Sequence, residues 1–144
     1  MIAVSEHRLS QVAVPAARLI FAGVFVMAFA FKVMGMESTA TYIAQAGFPA
    51  SHVLAVLAAG LEIALALAFL TGAFFREASL VAVIYVLFLG FAFHGPSHWT
   101  ANQAEFGFFV DHFVFVAGLL FAAVHGPGRR FALDRYRLLV AKSA

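Results

Sequence analysis

Glu62 is the residue whose type and position most directly suggest chemistry. It is the only acid, base or amide between Val53 and Leu70, a stretch as long as a membrane-spanning helix. An acidic side chain at the centre of such a helix costs about 2.5–3.5 kcal/mol on insertion scales, so it needs a partner, a proton or a polar cavity. Small residues share its helix face, namely Ala55, Ala58, Ala59 and Ala66. Because small residues mark close helix packing, we expect Glu62 to point inward.

Lys32 is the predicted partner of Glu62. It lies near the end of the first hydrophobic block and shares a helical face with Arg18, Phe25 and Phe29. The alternative for both cations is snorkelling, in which the charged group reaches the nearer membrane interface along its aliphatic stem. For Lys32 the residues alone leave the inward-facing and the snorkelling positions open.

Three more polar residues flank the third loop. His94 ends the third hydrophobic block, and Asp111 and His112 lie near the start of the fourth. Asp111 shares a face with Phe115 and with small residues, so we expect it to look inward. The candidate catalytic residues are Glu62, Lys32, Asp111 and His112, and the candidate binding residues are His94, Phe25, Phe29, Phe115 and Arg18.

These side chains suit a quinone site. A quinone headgroup needs hydrogen-bond donors and an apolar slot, which Lys32, the histidines and the phenylalanines would supply, while Glu62 would exchange protons. The first alternative is an ion pair that only locks helix packing. The second is a bound transition metal, or a haem whose iron would lie between His94 and His112. No metal is expected at His94 and His98, because Gly95-Pro96 between them breaks the helical spacing.

Composition identifies the chain as an integral membrane protein. Its 144 residues are 64% hydrophobic and 11% charged, against about 25% charged in soluble domains. The absence of cysteine excludes disulfides, thiolate-bound metals and a thiol relay. Most of the net charge of +2 comes from the C-terminal segment, so it indicates membrane orientation and not nucleic-acid binding. The protein is therefore expected to be embedded in the lipid bilayer.

The hydrophobic blocks predict an all-α, antiparallel four-helix bundle in one membrane domain, residues 1–144. The predicted helices cover residues 16–36, 52–70, 78–94 and 108–125, followed by a short amphipathic tail over 129–144. Pro15 is expected to open the first helix, and residues 35–51 are expected to form a loop. The cations cluster on one side of this topology, so both termini are predicted to be cytoplasmic.

The sequence resembles the DoxX family of small four-helix bacterial membrane proteins over residues 18–134. The resemblance rests on an ordered set of segments and one cation: RLIFAGVFVMAFAFKVMG, GFPASHVLAVLAAGLEIALALAFLTG, the following Arg76, and GPGRRFALD. It implies that Arg18, Lys32, Glu62 and Arg76 are the family's polar positions. It also implies an inner-membrane location and a role like that of the membrane subunit of a thiosulfate:quinone oxidoreductase.

The residues and the resemblance together favour a membrane subunit of a redox complex that handles quinone or a similar lipophilic molecule. Electron transfer would then need a redox partner protein, and a homo-oligomer is the other expected assembly. Two rival hypotheses stay open. One is a non-catalytic membrane anchor or assembly subunit, and the other is a small transporter of protons, metals or solutes.

Overall fold

The computed structural model describes the backbone of residues 2–128 and 132–133, with side chains from Leu9 onward. The described part is helical and has no strand. Five α-helices and one 3-10 helix follow each other: α1 Ile2–Met34, α2 Met36–Gln45, α3 Ser51–Thr71, α4 Phe75–His94, the 3-10 helix Pro96–His98 and α5 Ala104–His125. The predicted tail over 129–144 falls outside the described residues, apart from residues 132–133.

Among the described residues, four helical segments are long and apolar enough to cross a membrane, which confirms the predicted all-α membrane fold. These segments are Leu9–Met34, Ser51–Thr71, Phe75–His98 and Ala104–His125. The cytoplasmic location of both termini stays a prediction.

The boundaries of α1 were predicted wrongly at its start. α1 begins at Ile2 and contains Pro15, which was expected to open the helix. A proline inside a helix removes one hydrogen bond and its ring crowds the carbonyl four residues earlier, but the turns on both sides of Pro15 are helical. α5 likewise begins at Ala104, four residues before the predicted start.

The predicted loop over residues 35–51 is also wrong, because most of it is the helix α2. Gly35 precedes the helix, and Glu37 in its first turn complements the helix dipole. Ala40 and Ile43 are the buried residues, and their spacing of three places both on the face that packs against α3. The glycine and the nearby Pro49 suggested a loop, but one apolar face is enough to dock ten residues.

The chain divides into two compact units. Of the described residues, the first unit holds 2–75, 125–128 and 132–133, and the second is Arg76–Val124. In the first unit α1 packs along α3, around the fully buried Phe69. Its ring stacks on Phe25, with centroids 5.7 Å apart, and meets Phe75 edge-on at 5.5 Å. Such aromatic pairs add about 0.5–1.5 kcal/mol beyond burial, so Phe69 fixes how these helices meet.

The second unit is a helical hairpin. The turn after α4 contains Pro96–His98, and Trp99 donates its indole N–H to the carbonyl of His94 at 2.9 Å. Phe109 of α5 contacts Phe91 and Trp99, with ring centroids 5.1 and 5.3 Å away. The aromatic cluster therefore holds the end of α4 against the first turns of α5.

Gly72 ends α3 in a conformation that only glycine adopts readily. Its φ is +75°, and a Cβ there would lie 2.9 Å from Ala132 Cβ. Gly72→Ala is therefore expected to lower the free energy of unfolding by about 1–3 kcal/mol, measured by thermal unfolding in detergent. Gly60→Ala is the control, because Gly60 lies inside α3 with nothing within 4 Å of a new Cβ. Equal stability of the two variants would contradict this account.

Candidate functional site

Lys32 and Glu62 form a direct ion pair inside the first unit. Lys32 Nζ lies 2.7 Å from Glu62 Oε1, which joins α1 to α3. The Glu62 side chain is 2% exposed and the Lys32 side chain is 20% exposed. Glu62 thus points inward as its small-residue face predicted, and Lys32 is its partner. An ammonium and a carboxylate in this contact make a charge-assisted hydrogen bond, which is stronger than a neutral one.

The pair keeps hydrogen-bonding capacity on the Lys32 side. An ammonium has three N–H donors, and Lys32 makes no hydrogen bond other than the one to Glu62 among the described residues. On the other side, Glu62 Oε2 is buried without a hydrogen bond in the part of the chain that the structure describes. The arrangement therefore offers an oriented, partly exposed donor whose charge is balanced by a buried carboxylate.

The two candidate phenylalanines of α1 differ in whether their rings can line a ligand site. Phe25 is 3% exposed and is used in the stack on Phe69. Phe29 is half-buried and lies three residues before Lys32, on the same helix face. Of the two rings, Phe29 is the one with exposed surface.

Arg18 binds backbone carbonyls, and this rules out the snorkelling alternative for its side chain. It is 3% exposed, and its guanidinium donates to the oxygens of Phe69 at 3.1 Å, Leu70 at 2.7 Å and Pro127 at 3.3 Å. Carbonyls in the last turn of a helix have no partner within that helix, and a cation there also complements the helix dipole. The visible role of Arg18 is to cap α3, and its predicted role in cofactor binding stays a prediction.

Arg76 makes the corresponding contact in the second unit. Its guanidinium donates to the carbonyls of Ala123 and Val124 in the last turn of α5. One arginine in each unit therefore caps the C-terminus of a membrane-length helix.

The second unit gathers His94, His112 and Glu105. His94 Nδ1 lies 2.6 Å from Glu105 Oε2, and His112 Nδ1 lies 2.6 Å from the carbonyl of Phe108. The two imidazole centroids are 5.2 Å apart. The sequence predicts that His94 and His112 lie on either side of the third loop, and the structure brings them together.

Glu105 was missed in the sequence because the fourth hydrophobic block was taken to begin after it. Its signal was its position in the first turn of α5, where an acid complements the helix dipole. Among the described residues, no three side chains of the His, Cys, Asp and Glu types are placed to hold one metal ion.

Asp111 does not look inward, contrary to the expectation from the sequence. It is exposed, because Val116 and Leu119 carry the buried face of α5. His112 lies within one helical turn of Val116 on that face, whereas Asp111 is rotated from His112 by about 100°. Phe115 is half-buried. The predicted roles of Asp111, His112, His94 and Phe115 in a ligand site stay predictions.

Comparisons with known proteins agree with this architecture. The DoxX family model matches residues 13–95. The inner membrane protein YphA of Escherichia coli (strain K12) is 32% identical over 108 residues, which are 72% of this chain and 75% of that protein. No solved structure matches the chain significantly. With four membrane-length helices in the part that the structure describes, the chain is an integral protein of the inner membrane, and it belongs to the DoxX family.

Proposed function

We propose that this protein is a membrane component of a redox system and binds a quinone or a similar lipophilic carbonyl compound beside the Lys32–Glu62 pair. The DoxX family is linked to redox-related roles at the membrane. The observation that carries the proposal is Lys32, a partly exposed ammonium inside a membrane span whose only hydrogen bond among the described residues is the 2.7 Å contact to Glu62.

The chemistry of the pair fits a quinone carbonyl. Lys32 has two N–H donors left for such an oxygen, and Glu62 fixes the direction of the ammonium by holding its third donor. The half-buried ring of Phe29 offers an apolar surface on the same helix face. A bound quinone would supply two-electron redox chemistry. Lys32 binds the quinone oxygen, and Glu62 orients the Lys32 ammonium. Lys32 Nζ and the Glu62 carboxylate are the two positions that can hold a proton.

The competing function is a non-catalytic anchor or assembly subunit. The observation that favours it is that Arg18 and Arg76 use their guanidinium groups on the backbone of their own units. Under that alternative Lys32 and Glu62 would likewise serve packing alone. The two proposals differ in whether the ion pair has affinity for a ligand.

Quinone binding to the purified protein in lipid nanodiscs tests the proposal. The probe is a benzoquinone with a decyl tail, titrated calorimetrically. Loss of a hydrogen bond from a charged donor costs about 1.5–3 kcal/mol, so Lys32→Met and Glu62→Gln are expected to weaken binding by about tenfold or more. The matched control is Glu37→Gln, which changes the exposed Glu37–His52 pair at 3.0 Å. Wild-type affinity in folded Lys32→Met and Glu62→Gln would support the anchor instead.

A further inference from the structure

In the neutral forms of His94 and His112, the contacts of one ring nitrogen determine which nitrogen keeps a lone pair. The acceptor at His94 Nδ1 is the carboxylate of Glu105, and the acceptor at His112 Nδ1 is the carbonyl of Phe108. A carboxylate and a carbonyl only accept, so each Nδ1 carries the proton. In the neutral rings each Nε2 then has a lone pair, and neither Nε2 makes a hydrogen bond among the described residues.

This arrangement is the one that metal-binding histidines show. Such histidines donate their second ring N–H to a carboxylate or a backbone carbonyl, which fixes the tautomer and increases the basicity of the ligating nitrogen. Here His94 has the carboxylate and His112 has the carbonyl, both at 2.6 Å. Both residues are half-buried, so their positions are restrained while part of each side chain stays exposed.

The separation of the rings also fits one shared ion. With metal–nitrogen bonds of about 2.0–2.1 Å, two imidazoles in a tetrahedral arrangement have ring centres roughly 5 Å apart. The observed centroid distance is 5.2 Å, with the planes inclined by 40°. Gly90 makes this approach possible, because a Cβ there would lie only 3.1 Å from His112 Cβ.

We propose that His94 and His112 bind one divalent first-row transition ion through Nε2, with Glu105 and the Phe108 carbonyl holding the two rings. The ion has two protein ligands, since no third such side chain converges there in the described part of the chain, and water completes its coordination. This makes an open site of the kind that exchanges ligands. The proposal is independent of quinone binding at Lys32.

Zn²⁺ binding to the full chain tests this site. The protein, purified without a polyhistidine tag, is titrated with Zn²⁺ against a chromophoric chelator, and Co²⁺ absorption reports the coordination geometry. One Zn²⁺ per chain is expected. His94→Gln and His112→Gln should each weaken binding by at least tenfold, and Glu105→Gln by about 10–100-fold, as for other groups that support a metal ligand. His98→Gln is the matched control, because His98 is an exposed histidine in the adjoining turn.

Gly90→Ala is a second variant that leaves both ligands in place. Its Cβ would displace His112, whose Cβ is 3.1 Å away, so it is also expected to weaken Zn²⁺ binding. Circular dichroism and gel filtration establish that each variant is folded. The proposal is overturned if wild-type protein binds no more Zn²⁺ than His94→Gln/His112→Gln, or if His98→Gln loses as much affinity as His94→Gln.

Discussion

Lys32→Met is expected to lower the free energy of unfolding by about 3–5 kcal/mol, as removal of one partner from a buried ion pair does. Glu62 is 2% exposed and contacts Lys32 at 2.7 Å, so the variant leaves a carboxylate inside the protein without its cation. The partial exposure of Lys32 moves the expected loss toward the lower end of that range. Thermal and denaturant unfolding in mixed micelles measure the change.

The double variant Lys32→Met/Glu62→Leu separates the ion pair from simple loss of packing. Replacement of a whole buried pair by apolar residues is often neutral or stabilising, so the double variant should regain most of the stability that Lys32→Met loses. The expected coupling between the two positions is therefore a large fraction of the single-variant effect. If the double variant loses as much stability as Lys32→Met and Glu62→Leu lose together, Lys32 and Glu62 do not act as a pair.

Arg18→Met is the second substitution with a large expected effect. It removes the donors to the carbonyls of Phe69, Leu70 and Pro127. Arg18 is 3% exposed, and a buried polar group left without its partner costs about 1–3 kcal/mol. The expected loss of stability is therefore about 3 kcal/mol or more, again measured by unfolding in micelles.

Arg18→Lys tests whether the forked shape of the guanidinium matters. A lysine keeps the charge but not the planar set of donors, so it should recover only part of the lost stability. Arg76→Met is the comparison in the second unit, where the guanidinium contacts two carbonyls and is half-buried. It should cost less than Arg18→Met. Full recovery by lysine would mean that charge near the helix end, and not hydrogen bonding, is the effect of Arg18.

The strongest sequence predictions came from polar residues inside apolar helices. A charge there needs a partner, so the small-residue face of Glu62 predicted that this side chain points inward and made Lys32 its candidate partner, although the residues alone left snorkelling of Lys32 open. The proximity of His94 and His112 was expected instead from their positions on either side of the third loop. The inference on Glu62 succeeded because helix periodicity determines which side chains share a face.

The features that could not be predicted from the sequence depend on contacts and helix ends that helix periodicity does not determine. The backbone partners of Arg18 lie 51, 52 and 109 residues away in the chain. Because every residue has a backbone carbonyl, the sequence does not show which carbonyls Arg18 contacts. Pro15 and Gly35 were interpreted as ends of elements, although α1 continues through the former and α2 begins directly after the latter. Asp111 was assigned inward from its small neighbours, but Val116 and Leu119 determine the buried face of α5.

We propose that the Lys32 ammonium, oriented by Glu62, is a ligand donor and not only part of a packing contact. The test is decyl-benzoquinone binding to folded Lys32→Met/Glu62→Leu in nanodiscs. This double variant is expected to keep most of the protein's stability while it lacks both polar groups of the pair. The account predicts that this variant is folded and binds the quinone at least about tenfold more weakly than wild type. Binding at wild-type affinity by this folded variant would contradict it.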